Sequence, residues 1–164
     1  MYLGLDPSST STGIAVLDRE GVVLLSSKFK MIPNNPRSFH ELYLEIQRVV
    51  ETYGVEYVGC EDQYGGPDVL ALIKQVRSTG SILAALGSNE KTKFELNTNF
   101  FLFMPSSWRK LFQGQGKKHT KKSTYLYVTE VLGIPMKSFT ADNDRADAIG
   151  IAYATKMMVE GEAA

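Results

Sequence analysis

Four carboxylates stand where they could act together. Asp6 ends a short apolar run, Tyr2–Asp6, and is followed by Pro7; Glu61 ends another, Val55–Glu61. Asp144 and Asp147 lie three residues apart at the start of the last helical pattern, so both leave one helix face. Bare carboxylates brought this close would repel strongly. They become favourable as oxygen ligands for hard divalent cations, since Mg²⁺ takes a few carboxylates and completes its shell with water and phosphate oxygens. Two such ions about 4 Å apart clamp the attacking and leaving oxygens of a phosphodiester. Each acid taken alone also has a local role open to it, in an Asp-Pro turn or in the first turn of a helix. Asp142 reads as an N-cap, Asp18 as a hairpin-turn residue, and Asp62, pointing to the opposite sheet face from Glu61, as solvated.

Cations are unevenly spread. Pro105 to Lys122 carries Arg109, Lys110, Lys117, Lys118, Lys121 and Lys122 and no acid, while the rest of the chain has twelve cations against eighteen acids; the formal net charge is zero. A local basic patch beside an acidic site is the footprint of phosphate contacts, the other reading being a solvated lysine-rich loop. Gly114 and Gly116 let this loop follow a backbone. Trp108 and Phe112 read as core rather than as base-stacking platforms.

The elements that must position these groups follow from periodicity. Tyr2–Asp6, Gly13–Asp18 and Val22–Lys30 read as strands, the last two joined by the turn Arg19-Glu20-Gly21. Phe39, Leu42, Ile46, Val49 and Tyr53 recur at helical spacing, with Gly54 placed to end the helix. Val55–Glu61 is a strand; Asp68–Leu86 is a helix with Leu70, Ile73, Val76, Gly80 and Leu83 on one face; and Phe100–Met104 is a very apolar strand, expected to be central or covered. Ser106–Phe112, Lys122–Leu132 and Asn143–Glu160 read as helices. Hairpins followed by β-α-β alternation predict one mixed sheet with helices on both faces. Gly4 and Gly59 share sheet faces with Asp6 and Glu61, leaving room for a helix that carries Asp144 and Asp147. The length, 164 residues with 43% apolar and 22% charged, is that of one soluble globular domain. A single cysteine, Cys60, excludes an intramolecular disulfide framework, and no run is long and apolar enough to span a bilayer. With no secretory leader pattern, a cytosolic protein is expected.

Gly4-Leu5-Asp6-Pro7-Ser8, followed by Thr12-Gly13-Ile14-Ala15, resembles the N-terminal motif of RuvC-type Holliday junction resolvases, in the RNase H-like nuclease superfamily. Glu61 falls where that family carries its second acid, and Asp144-Arg145-Ala146-Asp147-Ala148-Ile149 is similar to its C-terminal Asp-x-x-Asp-Ala motif. The first motif is shared with actin-like kinases and chaperones; the three in order span the whole chain. The resemblance implies an α/β, RNase H-like mixed five-stranded sheet in one domain over residues 1–164. It implies a crossover junction endodeoxyribonuclease with two Mg²⁺ ions per active site, replaceable by Mn²⁺, on Asp6, Glu61, Asp144 and Asp147. Paired nicks in a four-way junction would leave 5′-phosphate and 3′-hydroxyl ends, with Lys118 or Lys121 stabilising charge on the phosphate. It further implies a homodimer through the helix Asp68–Leu86, where Leu72, Gly80 and Leu83 offer a small, apolar face. Tyr64, three residues after Glu61 and beside Gly65 and Gly66, falls where the family places an aromatic against bases at the crossover. Lys117, Lys118, Lys121 and Lys122 fall in its basic segment between the last strand and the last helix.

The Asn97–Trp108 and Gln113–Lys118 segments diverge, as in a phage-type branch acting in the cytoplasm of a bacterium or a phage-infected cell. Forks and flaps therefore join the expected substrates. Three other functions compete: a ribonuclease H on RNA–DNA hybrids, which needs no dimer; a nuclease-dead nucleic-acid-binding factor, against which the full set of acids argues; and half of an actin-like kinase, for which the chain is too short.

Overall fold

The three N-terminal strands form the antiparallel meander that alternation and turn chemistry predict. In the computed structural model, which describes residues 1–62, 69–114 and 119–161, these are β1 (Tyr2–Pro7), β2 (Ser11–Leu17) and β3 (Val23–Lys30). Gly21 takes φ +86° in the hairpin turn, and Asp18 Oδ1 accepts from the Val22 N–H at 2.7 Å. β4 (Tyr57–Glu61) then adds parallel to β1, and β5 (Phe100–Phe103) parallel to β4, giving the order β3-β2-β1-β4-β5. β5 is thus an edge strand, not a central one. Its apolar character comes from cover on both faces: Phe100 and Leu102 join one core, Phe101 and Phe103 the other.

Two helices close the first face. α1 (Pro36–Tyr53) is capped by Asn35, whose side chain accepts from the Arg37 N–H at 2.9 Å, and ends at Gly54 with φ +58°. α2 (Val69–Gly87) packs on α1 and sends Ile82, Ala85 and Leu86 into the core. Leu3, Leu5, Ile14 and Val16 meet Leu42, Ile46 and Val49 there, all fully buried.

The second face is covered by α3 (Pro105–Gln113), α4 (Lys121–Leu126) and α5 (Phe139–Glu160). The helix predicted over Lys122–Leu132 changes character at Tyr127: residues Tyr127–Val131 form a π turn, closed by the Leu132 N–H on the Tyr127 carbonyl. The Thr129 hydroxyl bonds the Tyr125 carbonyl at 3.0 Å, a side-chain competitor for the helical ladder. The last helix starts at Phe139, a full turn before Asn143, because Ser138 is the N-cap and accepts from the Ala141 N–H. Asp142 is therefore a first-turn residue, not the cap. Its Oδ2 accepts from the Lys137 N–H at 2.6 Å and its Oδ1 from Arg145 at 3.1 Å. Among the described residues no helix is long and apolar enough to cross a membrane.

α5 lies directly on the strands because glycines leave the space. A Cβ at Gly4 would overlap the Ala148 carbonyl, one at Gly13 the Asp144 carbonyl, and one at Gly59 the Thr155 hydroxyl. Gly4 and Gly59 match the expectation from alternation; Gly13 adds a third point of close approach.

Candidate active site

Sheet register sets the site. Asp6 pairs with Gly13, Gly13 with Lys28, and Glu61 with Phe103, so the ends of β1 and β4 and the middle of β3 present side chains at one level of the α5 face. α5 crosses this level with Asp144 and Asp147 in its second and third turns. The four acids predicted from sequence placement are brought together: Asp6 feels the charges of Asp147, Glu61 and Asp144.

Each acid has its own keeper. Trp108, fully buried on α3, donates its indole N–H to Glu61 Oε2 at 2.7 Å. Arg109 lies over the Trp108 ring, 4.4 Å from its centroid, and reaches Asp147 Oδ2 at 2.9 Å and Glu61 Oε2 at 3.6 Å. Lys121 Nζ, at the start of α4, is 3.3 Å from Asp147 Oδ2 and 3.8 Å from Asp6 Oδ2. The Ser11 hydroxyl donates to Asp144 Oδ2 at 2.6 Å, and Lys28 Nζ is 3.1 Å from the same atom.

The electrostatics divide these acids. Burial, reinforced by the neighbouring carboxylates and only partly opposed by Lys121, pushes the Asp6 carboxyl well above its ordinary range. Burial also raises Glu61 and Asp147 against their bonds to Trp108 and Arg109. At Asp144 burial acts in the same direction, but the Ser11 hydroxyl and Lys28 outweigh it and hold this carboxyl below the usual value. Lys121 is raised by the acids around it, against its own burial.

The donor set is all carboxylate oxygen at its acidic core, which suits a hard divalent cation. Asp6 Oδ2 and Asp147 Oδ1 are buried without a hydrogen-bond partner among the described residues. Such orphaned acceptors are costly unless something positive completes them. As they stand, no three acid, imidazole or thiol groups among the described residues close around one point tightly enough to hold an ion. Lys121 and Arg109 bridge the acids instead.

The basic segment behaves less uniformly than its composition suggests. Arg109, expected to contact phosphate, is 7% exposed and committed to Asp147 and Glu61. Lys110 and Lys122 are exposed on α3 and α4, and Lys121 is half-exposed beside the acids. Tyr64, Lys117 and Lys118 lie outside the described residues. Trp108 and Phe112 are core residues as expected, but the indole N–H of Trp108 also serves the site. Ser11 and Lys28 were not singled out by sequence; their partner Asp144 is more than a hundred residues away.

A mixed five-stranded sheet in this order, with acids at the ends of two central strands and on the helix that closes over them, is the RNase H-like nuclease fold. The family model described as "Crossover junction endodeoxyribonuclease RuvC" matches residues 2–155, and the chain belongs to that family. Among its relatives, the RuvC crossover junction endodeoxyribonuclease of Rickettsia akari is 27% identical over 163 residues, covering 96% of this chain and 98% of that one. The Pelodictyon phaeoclathratiforme protein of the same name is 26% identical over 93% of this chain and 77% of its own length. The solved structure of T. thermophilus RuvC in complex with Holliday junction substrate superposes with a TM-score of 0.75 at 20% identity, covering 98% of this chain and 95% of that one. The yeast mitochondrial Holliday junction resolvase is more distant, with a TM-score of 0.55 at 13% identity over 95% and 78% of the two chains.

Proposed function

We propose that this chain, as a single nuclease domain, is a metal-dependent endonuclease that resolves four-way DNA junctions by paired nicks leaving 5′-phosphate and 3′-hydroxyl ends. The observation that carries this reading is the acid cluster itself: Asp6, Glu61, Asp144 and Asp147 meet at one sheet face, with two buried carboxylate oxygens lacking a hydrogen-bond partner among the described residues. These four would hold divalent ions of the Mg²⁺ type, two per site. When bound, such ions supply an activated water and neutralise charge on the phosphate.

The rest of the chemistry belongs to the chain. Trp108 and Ser11 fix the rotamers of Glu61 and Asp144 through hydrogen bonds of 2.7 and 2.6 Å. Arg109, buried, holds Asp147 in place and offsets its charge. Lys121 is the half-exposed cation at the mouth of the cluster and is placed to meet a phosphate oxygen once the acids have other partners. Lys118 and Tyr64 keep the roles that the family resemblance implies, the first at the phosphate and the second against bases at the branch point.

Four-way junctions present two equivalent strands, and two nicks call for two active sites. α2 fits the dimer reading: Val69, Ile73, Val76, Gly80 and Leu83, spaced four and three apart, are all exposed. Of the expected dimer face, Gly80 and Leu83 are exposed and Leu72 is half-buried.

The test is incubation of the purified protein with Mg²⁺ and a panel of four-way junction, fork, linear duplex and RNA–DNA hybrid, each with and without chelator. Junctions should be cut in symmetrically related strands. Preferential cutting of the hybrid would replace this reading with a ribonuclease H.

A further inference from the structure

A second concentration of positive charge lies on the other side of Asp144 from the basic segment. Ser26, Lys28 and Lys30 alternate along β3, so all three stand on the α5 face at the free edge of the sheet. Opposite them, Lys137 precedes the N-cap of α5 and Arg145 leaves its second turn. Lys28, Lys30, Lys137 and Arg145, with Ala141 and Asp142, line a concave pocket of about 400 Å³.

The walls are tied and the floor is charged. Arg145 reaches Ser26 Oγ at 3.2 Å and Asp142 at 3.1 Å, and Lys28 spans from Asp144 to the Ala141 carbonyl, so β3 and α5 are held at a fixed separation. Asp142, the one acid in the wall, is already engaged by Arg145 and by the Lys137 N–H. Lys30 and Lys137 remain exposed and take no carboxylate partner among the described residues. Of the four cations at the pocket, Lys28 is paired with Asp144 and Arg145 with Asp142, which leaves the charges of Lys30 and Lys137 at the amino end of a long helix whose dipole has the same sign. Through Lys28 and Asp144, the pocket is continuous with the acid cluster.

We infer that this β3–α5 pocket is a backbone-phosphate subsite: Lys30 and Lys137 grip a phosphodiester of the nucleic-acid strand near the one being cut. It is separate from the Arg109–Lys122 segment, and a strand seated in both would pass across Asp144. The inference rests on the nuclease reading above.

The experiment measures binding of a labelled four-way junction over a salt series in the presence of Ca²⁺, comparing wild type, K30A/K137A, and K91A/K93A as a control for lost charge before β5, at the opposite edge. Each phosphate neutralised contributes about 0.9 to the slope of log affinity against log salt, so K30A/K137A, which releases one phosphodiester, should flatten it by about 0.9. K91A/K93A should leave the slope unchanged. Methylphosphonate substitution at the contacted position should weaken wild type and not the variant. Both lysine pairs are exposed, and equal melting temperatures will show that the fold is intact. If wild type binds and cuts junctions but K30A/K137A keeps its slope, or if both lysine pairs flatten it equally, the subsite is wrong and the nuclease reading stands. If wild type binds no nucleic acid, both fall.

Discussion

On the α1–α2 side of the sheet, Leu3, Leu5, Ile14 and Val16 meet Leu42, Ile46 and Val49; on the α5 side the same strands present Gly4, Asp6, Gly13 and Ala15. The first side is fully buried aliphatic surface, each side chain contributing about 1.5–3 kcal/mol. The second replaces much of that surface with backbone contact and buried carboxylates, three of which have their ionised forms disfavoured. Alternation along β1 makes the division residue by residue: Leu3 and Leu5 point one way, Gly4 and Asp6 the other. One face thus supplies the stability that lets the other hold charges at close quarters.

The comparison breaks most sharply at α5. Asp144→Asn keeps size and position and removes one ligand. Junction cleavage should fall by about a thousandfold or more, on the order of 4 kcal/mol of transition-state stabilisation. Junction binding in Ca²⁺ should be kept or improved, and the unfolding midpoint should move little. Normal cleavage by this variant would remove Asp144 from the site. A backbone test follows. Gly13→Ala forces a methyl into the Asp144 carbonyl and should cost about 3 kcal/mol in denaturant unfolding, with loss of cleavage. Gly80→Ala, on α2 with nothing within 4 Å, should instead stabilise the helix by about 0.5–1 kcal/mol.

The four acids were legible because strand ends and helical spacing reveal which side chains share a face. Gly4 and Gly59 were legible by the same rule. What stayed hidden was the second layer. Ser11, Lys28 and Trp108 reach acids 133, 116 and 47 positions away, and such pairings depend on register and helix placement rather than on local pattern. Arg109 groups with its basic neighbours in sequence because charge density does not say which way a side chain turns. The signal that could have found it is helical phase: Trp108, Arg109, Phe112 and Gln113 form the buried stripe of α3. Sequence pattern places the start of α5 late because Asp142 has the chemistry of a cap, while Ser138 offers an equally good hydroxyl.

Trp108 sharpens the same contrast, being core and site at once. Trp108→Phe keeps a buried ring under Arg109 and deletes the N–H that holds Glu61. A hydrogen bond to a charged group contributes about 1.5–3 kcal/mol. Cleavage should therefore fall by about ten- to a hundredfold in kcat, with junction affinity unchanged. Loss confined to stability would return Trp108 to a packing role.

The smallest expected effect has the opposite sign. Asp6 is 3% exposed, with one oxygen lacking a hydrogen-bond partner among the described residues and three acids in its field, so in metal-free protein its ionised form is held against burial. Its folded pKa lies above the unfolded one. Below the unfolded value both states are protonated and the group is neutral to stability. As pH rises the unfolded chain ionises first, and the folded state loses ground until its own pKa is passed. Asp6→Asn removes that penalty. The variant should be inactive but more stable than the parent in chelator, by about 1 kcal/mol or roughly 2–4 °C in melting temperature. The advantage should be larger at pH 8 than at pH 5, and it should shrink when Mg²⁺ is added, since the ion stabilises only the parent's site. A variant that melts below the parent at pH 8 in chelator would show that Lys121 already compensates Asp6 in full, and that the acid cluster is not held at a cost to the fold.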